Sequence, residues 1–351
     1  MAEKISVAVL GATGSVGQRF IQLLQGHPWF VVNELVASDR SSGQRYADVT
    51  DWRVSDSIPE SARDMPVKGL SDPLESTIVF SSLPGGIALE VENRLAGEGK
   101  SVFTNASDNR MVPDVPLMIP EVNPDHAGLI EAQRKNRGWD NGLIVANPNC
   151  STIHLILALK PIWDAFGIEL AITTTLQAVS GAGYPGVPSL DMIDNIVPYI
   201  GGEEEKIESE TLKIFGSLNG GEISPALVKV SAQCTRVPVR DGHTESVSLK
   251  LGKQASIDEV INAFASFSGR PQELGLPSAP AHPVVVRSQA DRPQPVLDRD
   301  AENGMASIVG RVRECPIFDV KFMVLGHNTI RGAAGASILN AELLVKEGYI
   351  S

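Results

Sequence analysis

The sequence predicts an α/β protein with a doubly wound parallel sheet followed by an α+β domain whose sheet is mostly antiparallel. The first half repeats short apolar strands, glycine-rich turns and helices, an order typical of parallel sheets. After residue 150, strand-like segments with apolar–polar alternation dominate, which favours an antiparallel sheet covered on one side by helices. A chain of 351 residues is also long for one hydrophobic core, so two domains are expected.

Composition excludes several classes of function. The formal net charge is −12, which argues against nucleic acid or an anionic membrane as the main partner. Three cysteines without CxxC spacing predict neither a disulfide framework nor a zinc site. The N-terminus does not resemble a signal peptide, and no apolar run approaches the roughly 18 residues of a membrane span. We therefore expect a cytoplasmic protein without a bound metal.

The first element, "KISVAVLGATGSVGQRFIQLL", is predicted to be a strand, a glycine-rich turn and a helix with one apolar face. Gly11, Gly14 and Gly17 fall at the strand-to-helix junction in a GxxGxxG spacing. Such a turn directs backbone N–H groups and the positive end of the helix at a pyrophosphate. The segment predicts a dinucleotide site; the alternative is a tight turn without a ligand.

The second strand, "FVVNELVAS", is followed by Asp39, Arg40, Ser41 and Ser42. The position after this strand normally faces the adenosine ribose. Arginine and serine suit the 2′-phosphate of NADP, whereas an acidic residue suits the free hydroxyl of NAD. We expect NADP, with NAD or a solvated loop as the alternatives.

The segment "STIVFSSLPGGIALEVENRLAGEGKSVFTNAS" continues the pattern with a strand, a turn, a helix and another strand. Its turns at 81–86 and 105–107 fall at the carboxyl ends of strands, where ligands of open α/β sheets bind. The strand "GLIVA" then leads through "NPNCST" into a long helix. In the second half, the final segment "HNTIRGAAGASILNAELLVKEG" is predicted to be a helix that could return to the first domain.

Cys150 opens the helix that follows "GLIVA". The positive end of a helix favours a thiolate, so we expect this thiol to ionise more easily than a free one. His243 is the candidate acid–base partner. Arg236 lies shortly before His243 in the sequence, and Gln177 ends a strand-like segment just before a glycine-rich loop. Cationic and amide groups around a thiol indicate a site for an anionic carbonyl substrate; a buried structural cysteine and a structural histidine are the alternatives.

Several motifs together carry a family resemblance. "GATGSVG", "NPNCST", "LQAVSGAG", "GGEEEKIESETLKIFG", "RVPVRDGHTES" and "HNTIRGAAGASILNAE" occur in this order between Val7 and Glu342. In this order they resemble the aspartate-β-semialdehyde dehydrogenase family, and most closely its fungal and archaeal branch.

The resemblance implies a Rossmann-type domain formed by residues 1–149 and 328–351. It implies a catalytic and dimerisation domain, similar to that of glyceraldehyde-phosphate dehydrogenase, at 150–327. The implied reaction is the NADPH-dependent reductive dephosphorylation of β-aspartyl phosphate to aspartate semialdehyde through a cysteine thioester. That reaction belongs to the biosynthesis of lysine, threonine, methionine and isoleucine. A homodimer or homotetramer is implied, with small molecules as the other partners.

The resemblance also implies residue roles. Cys150 would be the nucleophile, His243 the general acid/base and Gln177 an orienting group. The implied substrate-binding residues are Arg110, Asn149, Glu203, Lys206 and Arg236. Without the family pattern, Glu203 and Lys206 could lie on a solvated helix face, Arg110 could be a surface arginine, and Gln177 could be an ordinary polar group at the end of a strand. The implied cofactor-binding residues are Gly11, Thr13, Gly14, Ser15, Val16, Ser38, Arg40, Ser41, Ser82, Gly181 and Asn328.

Within the substrate set, Arg236 would hold the α-carboxylate and Glu203 the amino group. Arg110 and Lys206 would bind phosphate, and Asn149 would line the same pocket. Cys234 and Cys315 are predicted to be structural.

Three alternatives remain open at this point. A malonyl-CoA reductase would use the same chemistry on a CoA thioester. An N-acetyl-glutamyl-phosphate reductase shares the architecture, although "NPNCST" departs from the "PGC" surroundings associated with it. A dinucleotide sensor on a Rossmann scaffold would need none of Cys150, Gln177 and His243, whose presence argues against it.

Overall fold

Two six-stranded sheets organise residues 3–350, which are the residues that the computed structural model describes. Residues 1, 2 and 351, which the predicted domain ranges include, lie outside this part of the chain. The first sheet contains β1 (Ile5–Leu10), β2 (Phe30–Val36), β3 (Val67–Lys68), β4 (Ile78–Ser81), β5 (Ser101–Thr104) and β6 (Leu143–Ala146). The remaining strands are β7 (Ile168–Gln177), β8 (Ser217–Asn219), β9 (Glu222–Ser224), β10 (Lys229–Arg236), β11 (His243–Leu251), β12 (Val284–Arg287), β13 (Ser307–Glu314) and β14 (Val320–Gly326).

Helices cover the sheets. They are α1 (Ser15–Leu23), α2 (Tyr46–Val49), α3 (Glu60–Arg63), α4 (Ala88–Gly97), α5 (Leu129–Arg137), α6 (Cys150–Phe166), α7 (Ser189–Met192), α8 (Glu203–Ile214), α9 (Ile257–Ala265), α10 (Arg270–Leu274), α11 (Pro295–Asp298) and α12 (Gly335–Lys346). Short 3-10 turns lie at Asp39–Ser41, Pro124–Gly128, Val179–Ala182 and Ala301–Gly304. None of the helices within 3–350 combines the length and the apolar character that crossing a membrane requires.

The first sheet is parallel throughout, in the order β3-β2-β1-β4-β5-β6. This confirms the predicted doubly wound sheet. The strand order reverses between β1 and β4, and such a switch point opens a crevice at the carboxyl ends of the strands. Side chains of opposite strand faces form separate cores, with Val7 and Phe80 on one side and Ala8 and Val79 on the other.

The glycine-rich turn joins β1 to α1 as the sequence predicts. Gly11 has a φ of +73°, and a Cβ there would lie 2.8 Å from the Ser82 carbonyl oxygen. A Cβ on Gly17 would lie 2.1 Å from the Gly11 carbonyl oxygen. Both positions therefore require glycine, the first for its backbone conformation and the second for close packing of the helix on the turn.

Helix α6 connects the two halves of the molecule. Its Ile153, Ile156 and Leu157 pack in the core of the first sheet, whereas Leu155 and Ala158 pack in the core of the second. A helix that is apolar on all sides is expected in such a buried position. Its N-terminus, and with it Cys150, is thereby fixed between the two sheets.

The second sheet has the order β10-β7-β11-β14-β13-β12. The three central pairings are antiparallel, and the two outer pairings, β10 with β7 and β12 with β13, are parallel. The predicted mostly antiparallel sheet is confirmed, with a mixed pattern at its edges.

The C-terminal segment returns to the first sheet, as the sequence suggested. Ile338, Leu339, Leu343 and Leu344 of α12 belong to the core that also contains Val7. The segment differs from the prediction in one respect, because it begins with a π-helical turn at Ile330–Ala334 before α12 starts. Such turns are frequent at functional sites.

Candidate active site

A cleft of about 570 Å³ lies at the carboxyl ends of β1, β4 and β5, on the side that faces the second sheet. It brings together most of the residues predicted from the sequence: Gly14, Ser15, Val16, Ser82, Arg110, Asn149, Cys150, Gln177, Gly181, Glu203, Lys206, Arg236 and Asn328. His243 is fully buried directly behind Cys150. Gly11 and Thr13 belong to the glycine-rich turn, while Ser38, Arg40 and Ser41 follow β2 outside the cleft lining.

Cys150 is the first residue of α6, and Asn149 is its N-cap. The Asn149 side-chain oxygen accepts hydrogen bonds from the Ser151 and Thr152 N–H groups, at 3.0 and 3.4 Å. An asparagine in this position satisfies N–H groups that would otherwise have no partner in the first turn. The local sequence "NPNCST" thus places the sulfur at a helix N-terminus.

The expected easy ionisation of Cys150 is wrong for this pocket. Burial, and after it the Glu203 carboxylate, raises the pKa of the Cys150 thiol to about 12. Arg110 and Arg236 act in the opposite direction. The helix terminus favours a thiolate, but desolvation disfavours it more strongly here.

His243 lies beside the sulfur in a defined tautomer. Its Nε2 is 3.1 Å from Cys150 Sγ, and its Nδ1 accepts a hydrogen bond of 3.0 Å from the Ala178 N–H. A nitrogen that accepts carries no proton, so the neutral ring bears its hydrogen on Nε2. Burial, followed by the charge of Arg236, holds the pKa of His243 well below 6.5. The ring is therefore a neutral N–H donor aimed at the sulfur.

Glu203 forms the centre of a polar cluster in the cleft. Its carboxylate accepts hydrogen bonds from Lys206 Nζ at 2.9 Å, Asn149 Nδ2 at 2.8 Å and Gln177 Nε2 at 3.3 Å. Burial acts to raise the pKa of Glu203, but Lys206 and these hydrogen bonds outweigh it and lower the pKa. A charged carboxylate is therefore maintained in the cleft next to Cys150.

Arg236 ends β10 and points into the same cleft. One Nη1 hydrogen bond, 2.9 Å long, goes to the Ala178 carbonyl oxygen, which leaves donors for a ligand. Gly181 lies against it, since a Cβ on Gly181 would come within 2.9 Å of Arg236 Nη1 and 3.1 Å of His243 Cε1. A guanidinium held this way suits a carboxylate.

Arg110 is paired with a residue that the sequence reasoning missed. Its Nη1 donates to Glu210 Oε1 at 2.9 Å, and its Nη2 donates to the Asn105 carbonyl oxygen at 2.7 Å. The other Glu210 oxygen accepts from the Asn149 N–H at 2.7 Å. The sequence spacing could have predicted this contact, because Glu210 follows Glu203 at a distance that places both side chains on the same helix face.

The other end of the cleft fits a dinucleotide. Helix α1 has Gly14 as its N-cap, no side chain within residues 3–350 caps it, and its first turn contains no acidic residue. These free N–H groups and the positive helix end suit a pyrophosphate. At the far wall, Asn328 accepts from the Gly242 N–H and donates to Ser180 Oγ, both within 2.9 Å. Across 3–350 the structure contains no group of three or more candidate ligands arranged for a metal ion.

The parallel sheet, the glycine-rich turn and the partly buried thiol in the cleft define a dinucleotide-dependent dehydrogenase with a cysteine at the reacting position. Two family models match the chain: the semialdehyde dehydrogenase NAD binding domain at residues 6–130 and the semialdehyde dehydrogenase dimerisation domain at residues 159–331. An aspartate-semialdehyde dehydrogenase of Archaeoglobus fulgidus is 54% identical over 99% of this chain and 100% of its own length. The chain belongs to the aspartate-semialdehyde dehydrogenase family.

Other relatives agree with this assignment. The aspartate-semialdehyde dehydrogenase of Methanothermobacter thermautotrophicus is 55% identical over 97% of this chain and 99% of its own length. The solved structure of the Candida albicans enzyme with NADP has a TM-score of 0.91 at 44% identity, covering 99% of this chain and 100% of its own. The resemblance to the archaeal and fungal branch is confirmed.

Proposed function

We propose that the protein catalyses the NADPH-dependent reductive dephosphorylation of β-aspartyl phosphate to aspartate semialdehyde, in the biosynthesis of lysine, threonine, methionine and isoleucine. One observation carries the proposal: Cys150, Glu203 and Arg236 line a single cleft. Such a cleft suits a substrate with an acyl carbon, an ammonium group and a carboxylate. Relatives named aspartate-semialdehyde dehydrogenase support the same substrate.

The charges of the cleft distinguish this substrate from the alternatives. Glu203 would pair with the substrate ammonium group and Arg236 with its α-carboxylate, while Arg110 and Lys206 would bind the phosphate. Malonyl-CoA has no ammonium group, and the amine of N-acetyl-glutamyl phosphate is blocked by acetylation. Glu203 is already paired with Lys206, but its carboxylate also lines the cleft, where an ammonium group would complement its charge, so the position of Glu203 favours a free amino acid.

We assign the cofactor as NADP. The pyrophosphate would bind at Gly11, Thr13, Gly14, Ser15 and Val16, because the turn offers backbone N–H groups there. The 2′-phosphate would contact the surface segment Ser38, Arg40 and Ser41, and the nicotinamide end would lie near Ser82, Gly181 and Asn328. When bound, the reduced cofactor supplies the hydride that reduces the acyl carbon.

The chain's own residues perform the acyl transfer. The Cys150 sulfur attacks the acyl carbon, the bond to the phosphate oxygen breaks, and a thioester forms as phosphate leaves with the proton that the thiol gives up. Splitting the reduction through a thioester makes each step easier. After reduction, the oxyanion collapses to the aldehyde as its bond to sulfur breaks, and the His243 Nε2–H stabilises the departing thiolate by a hydrogen bond. Gln177 would orient the substrate, because hydrogen bonds from its amide nitrogen to Thr175 Oγ1 and Glu203 hold its side chain in place in the cleft.

Substrate binding would itself promote the thiolate. Glu203 is the second cause, after burial, of the raised pKa of Cys150. An ammonium group placed on Glu203 would neutralise that charge and lower the pKa of the thiol. The His243 N–H donor, 3.1 Å from the sulfur, would stabilise the thiolate that results.

We further propose a homodimer or homotetramer assembled through the second sheet. Ile172 and Leu176 are exposed on β7, and the matched family model is described as a dimerisation domain. The proposed domain boundaries are 1–149 with 328–351 and 150–327. A cytoplasmic location is inferred because Cys150, Cys234 and Cys315 are all free thiols, as is usual in reducing compartments.

A substrate panel run with both NADP and NAD tests the proposed function. We expect phosphate-dependent formation of NADPH from aspartate semialdehyde, and no such reaction with N-acetyl-glutamate semialdehyde. Malonyl-CoA should not support oxidation of NADPH. Turnover of malonyl-CoA, or cofactor binding without turnover of any compound, would overturn the proposal in favour of a reductase of CoA thioesters or a sensor.

Replacing Arg236 with lysine is expected to raise the KM for aspartate semialdehyde by about tenfold or more. A lysine ammonium cannot donate two parallel hydrogen bonds to a carboxylate while also binding the Ala178 carbonyl oxygen. Steady-state kinetics measure the change, with Arg240→Lys, a largely exposed arginine on the same segment, as the control. A KM within about twofold of the wild-type value would contradict the carboxylate assignment.

Replacing Gly332 with alanine is expected to lower kcat by about 100-fold. A Cβ at this position would lie 2.8 Å from Cys150 Cβ and 3.2 Å from its Cα, so the nucleophile must shift. The matched control is Gly97→Ala, whose Cβ would meet only Trp139 Nε1 at 3.5 Å. A kcat equal to that of the control would show that the position of the sulfur tolerates displacement.

A further inference from the structure

Helix α8 presents a row of four charged side chains at helical spacing: Glu203, Lys206, Glu210 and Lys213. Residues three and four apart lie on one helix face. A solvated face would leave such side chains exposed, yet Glu210 is 1% and Lys213 is 7% exposed. The first two members of the row line the cleft, and the last two therefore need another explanation.

The two oxygens of Glu210 bind two different parts of the site. Oε1 accepts from Arg110 Nη1 at 2.9 Å, and Oε2 accepts from the main-chain N–H of Asn149 at 2.7 Å. Asn149 directly precedes Cys150 and caps its helix. One buried carboxylate thus connects a cation in the cleft wall to the main chain that carries the nucleophile.

Lys213 fixes the Arg110 segment to α8 a second time. Its Nζ donates to the carbonyl oxygens of Arg110, Val112 and Val115 at 2.7, 2.8 and 2.9 Å. The guanidinium of Arg110 is therefore held through its main chain by Lys213 and through its side chain by Glu210. The contact with the Asn105 carbonyl oxygen adds a third restraint.

We infer that Glu210 is a positioning residue that sets the distance between the anion-binding Arg110 and the sulfur of Cys150. This inference rests on the proposed function, since it takes the anion at Arg110 to be the substrate phosphate. Glu210 lies behind both groups and is outside the cleft lining, so it acts through them. Phosphate binds with its reacting oxygen near the thioester carbon only while both ends of this bridge are held.

The substitution Glu210→Gln tests the bridge. A glutamine has one acceptor oxygen, so its NH₂ group must face either the Arg110 or the Asn149 donor. In the phosphorylating direction we expect the KM for phosphate to rise tenfold or more and kcat to fall about tenfold. The KM values for aspartate semialdehyde and NADP should stay within twofold. A purely structural role would lower the amount of folded enzyme without changing the KM for one substrate alone.

Glu210→Asp is an independent test of the same inference if the glutamine variant folds poorly. It keeps both acceptor oxygens on a side chain one methylene shorter, so an intermediate rise in the KM for phosphate is expected. Glu205→Gln, an exposed carboxylate on the same helix, is the matched control and should behave as wild type. The double variant Arg110→Lys with Glu210→Gln should be no worse for phosphate than Arg110→Lys alone, because the two residues act as one unit.

The outcomes separate this inference from the proposed function. A wild-type enzyme without phosphate-dependent activity would overturn both. An active wild type, with Glu210→Gln and Glu210→Asp changing all three KM values equally or none, would overturn the inference alone. Additive effects in the double variant would also overturn it, since independent residues would then be involved.

Discussion

Replacing Cys150 with serine is expected to lower kcat by at least about 1000-fold while leaving the Kd for NADPH within about twofold. The sulfur can form a thioester, which is reactive enough to be reduced and cleaved, whereas a serine would form an ordinary ester. The Sγ-to-Nε2 contact of 3.1 Å with His243 is also arranged for a large, polarisable thiolate. The glycine-rich turn that would hold the cofactor pyrophosphate is separate from this contact.

Cys315→Ser is the control for this substitution. Cys315 lies at the end of the second sheet, where its sulfur accepts a hydrogen bond from the Phe318 N–H at 3.4 Å, so its removal should leave kcat unchanged. Mass spectrometry of enzyme mixed with semialdehyde and NADP, without phosphate, should locate the acyl adduct on the Cys150 peptide. An adduct on another side chain, or a Cys150→Ser variant with a tenth of the activity, would contradict the nucleophile assignment.

The sequence predicted the architecture because its signals are local. The glycine turn at Gly11, the asparagine cap before Cys150 and the alternating strands of the second half all follow from neighbours in the chain. The parallel pairing of β10 with β7 joins segments far apart in sequence, so no local sequence pattern predicts it. Edge pairings of this kind depend on how the whole sheet assembles.

The sequence indicated which residues lie together, but not the electrostatics around them. Gln177, Glu203 and Arg236 line the cleft that contains Cys150, and their roles there stay predictions. The raised pKa of the Cys150 thiol and the fixed tautomer of His243 depend on burial and on the Ala178 N–H. Those contacts come from loops that meet only in the folded chain, so the sequence could not supply them.

Glu245 is a second residue whose environment could not be predicted from the sequence. In "HTESVSL" it looks like an ordinary polar residue of an alternating strand, yet the structure buries it completely on β11. One carboxyl oxygen accepts from Thr173 Oγ1 at 3.4 Å, and the other has no partner among the described residues. Burial raises the pKa of Glu245 to about 8. The folded protein therefore keeps this side chain protonated at neutral pH.

This burial makes the stability of the fold depend on pH in a defined direction. Below pH 4.5, the ordinary pKa, Glu245 is protonated in the folded and unfolded chains alike and has no effect. Between pH 4.5 and about 8, only the unfolded chain ionises, so its free energy falls and the fold loses stability as pH rises. From pH 5 to pH 8 the loss is on the order of 4 kcal/mol.

Glu245→Gln should remove this dependence, because the amide resembles the protonated acid and does not titrate. We expect the variant to be close to the wild type in unfolding free energy at pH 5 and increasingly more stable toward pH 8. Denaturant unfolding, or Tm where unfolding is irreversible, measures the difference across this range. Glu169→Gln, which alters an exposed carboxylate paired with Lys250, should give a nearly constant difference. A constant difference for Glu245→Gln as well would mean that Glu245 ionises inside the folded protein, which requires a cation or water beside its unpartnered oxygen.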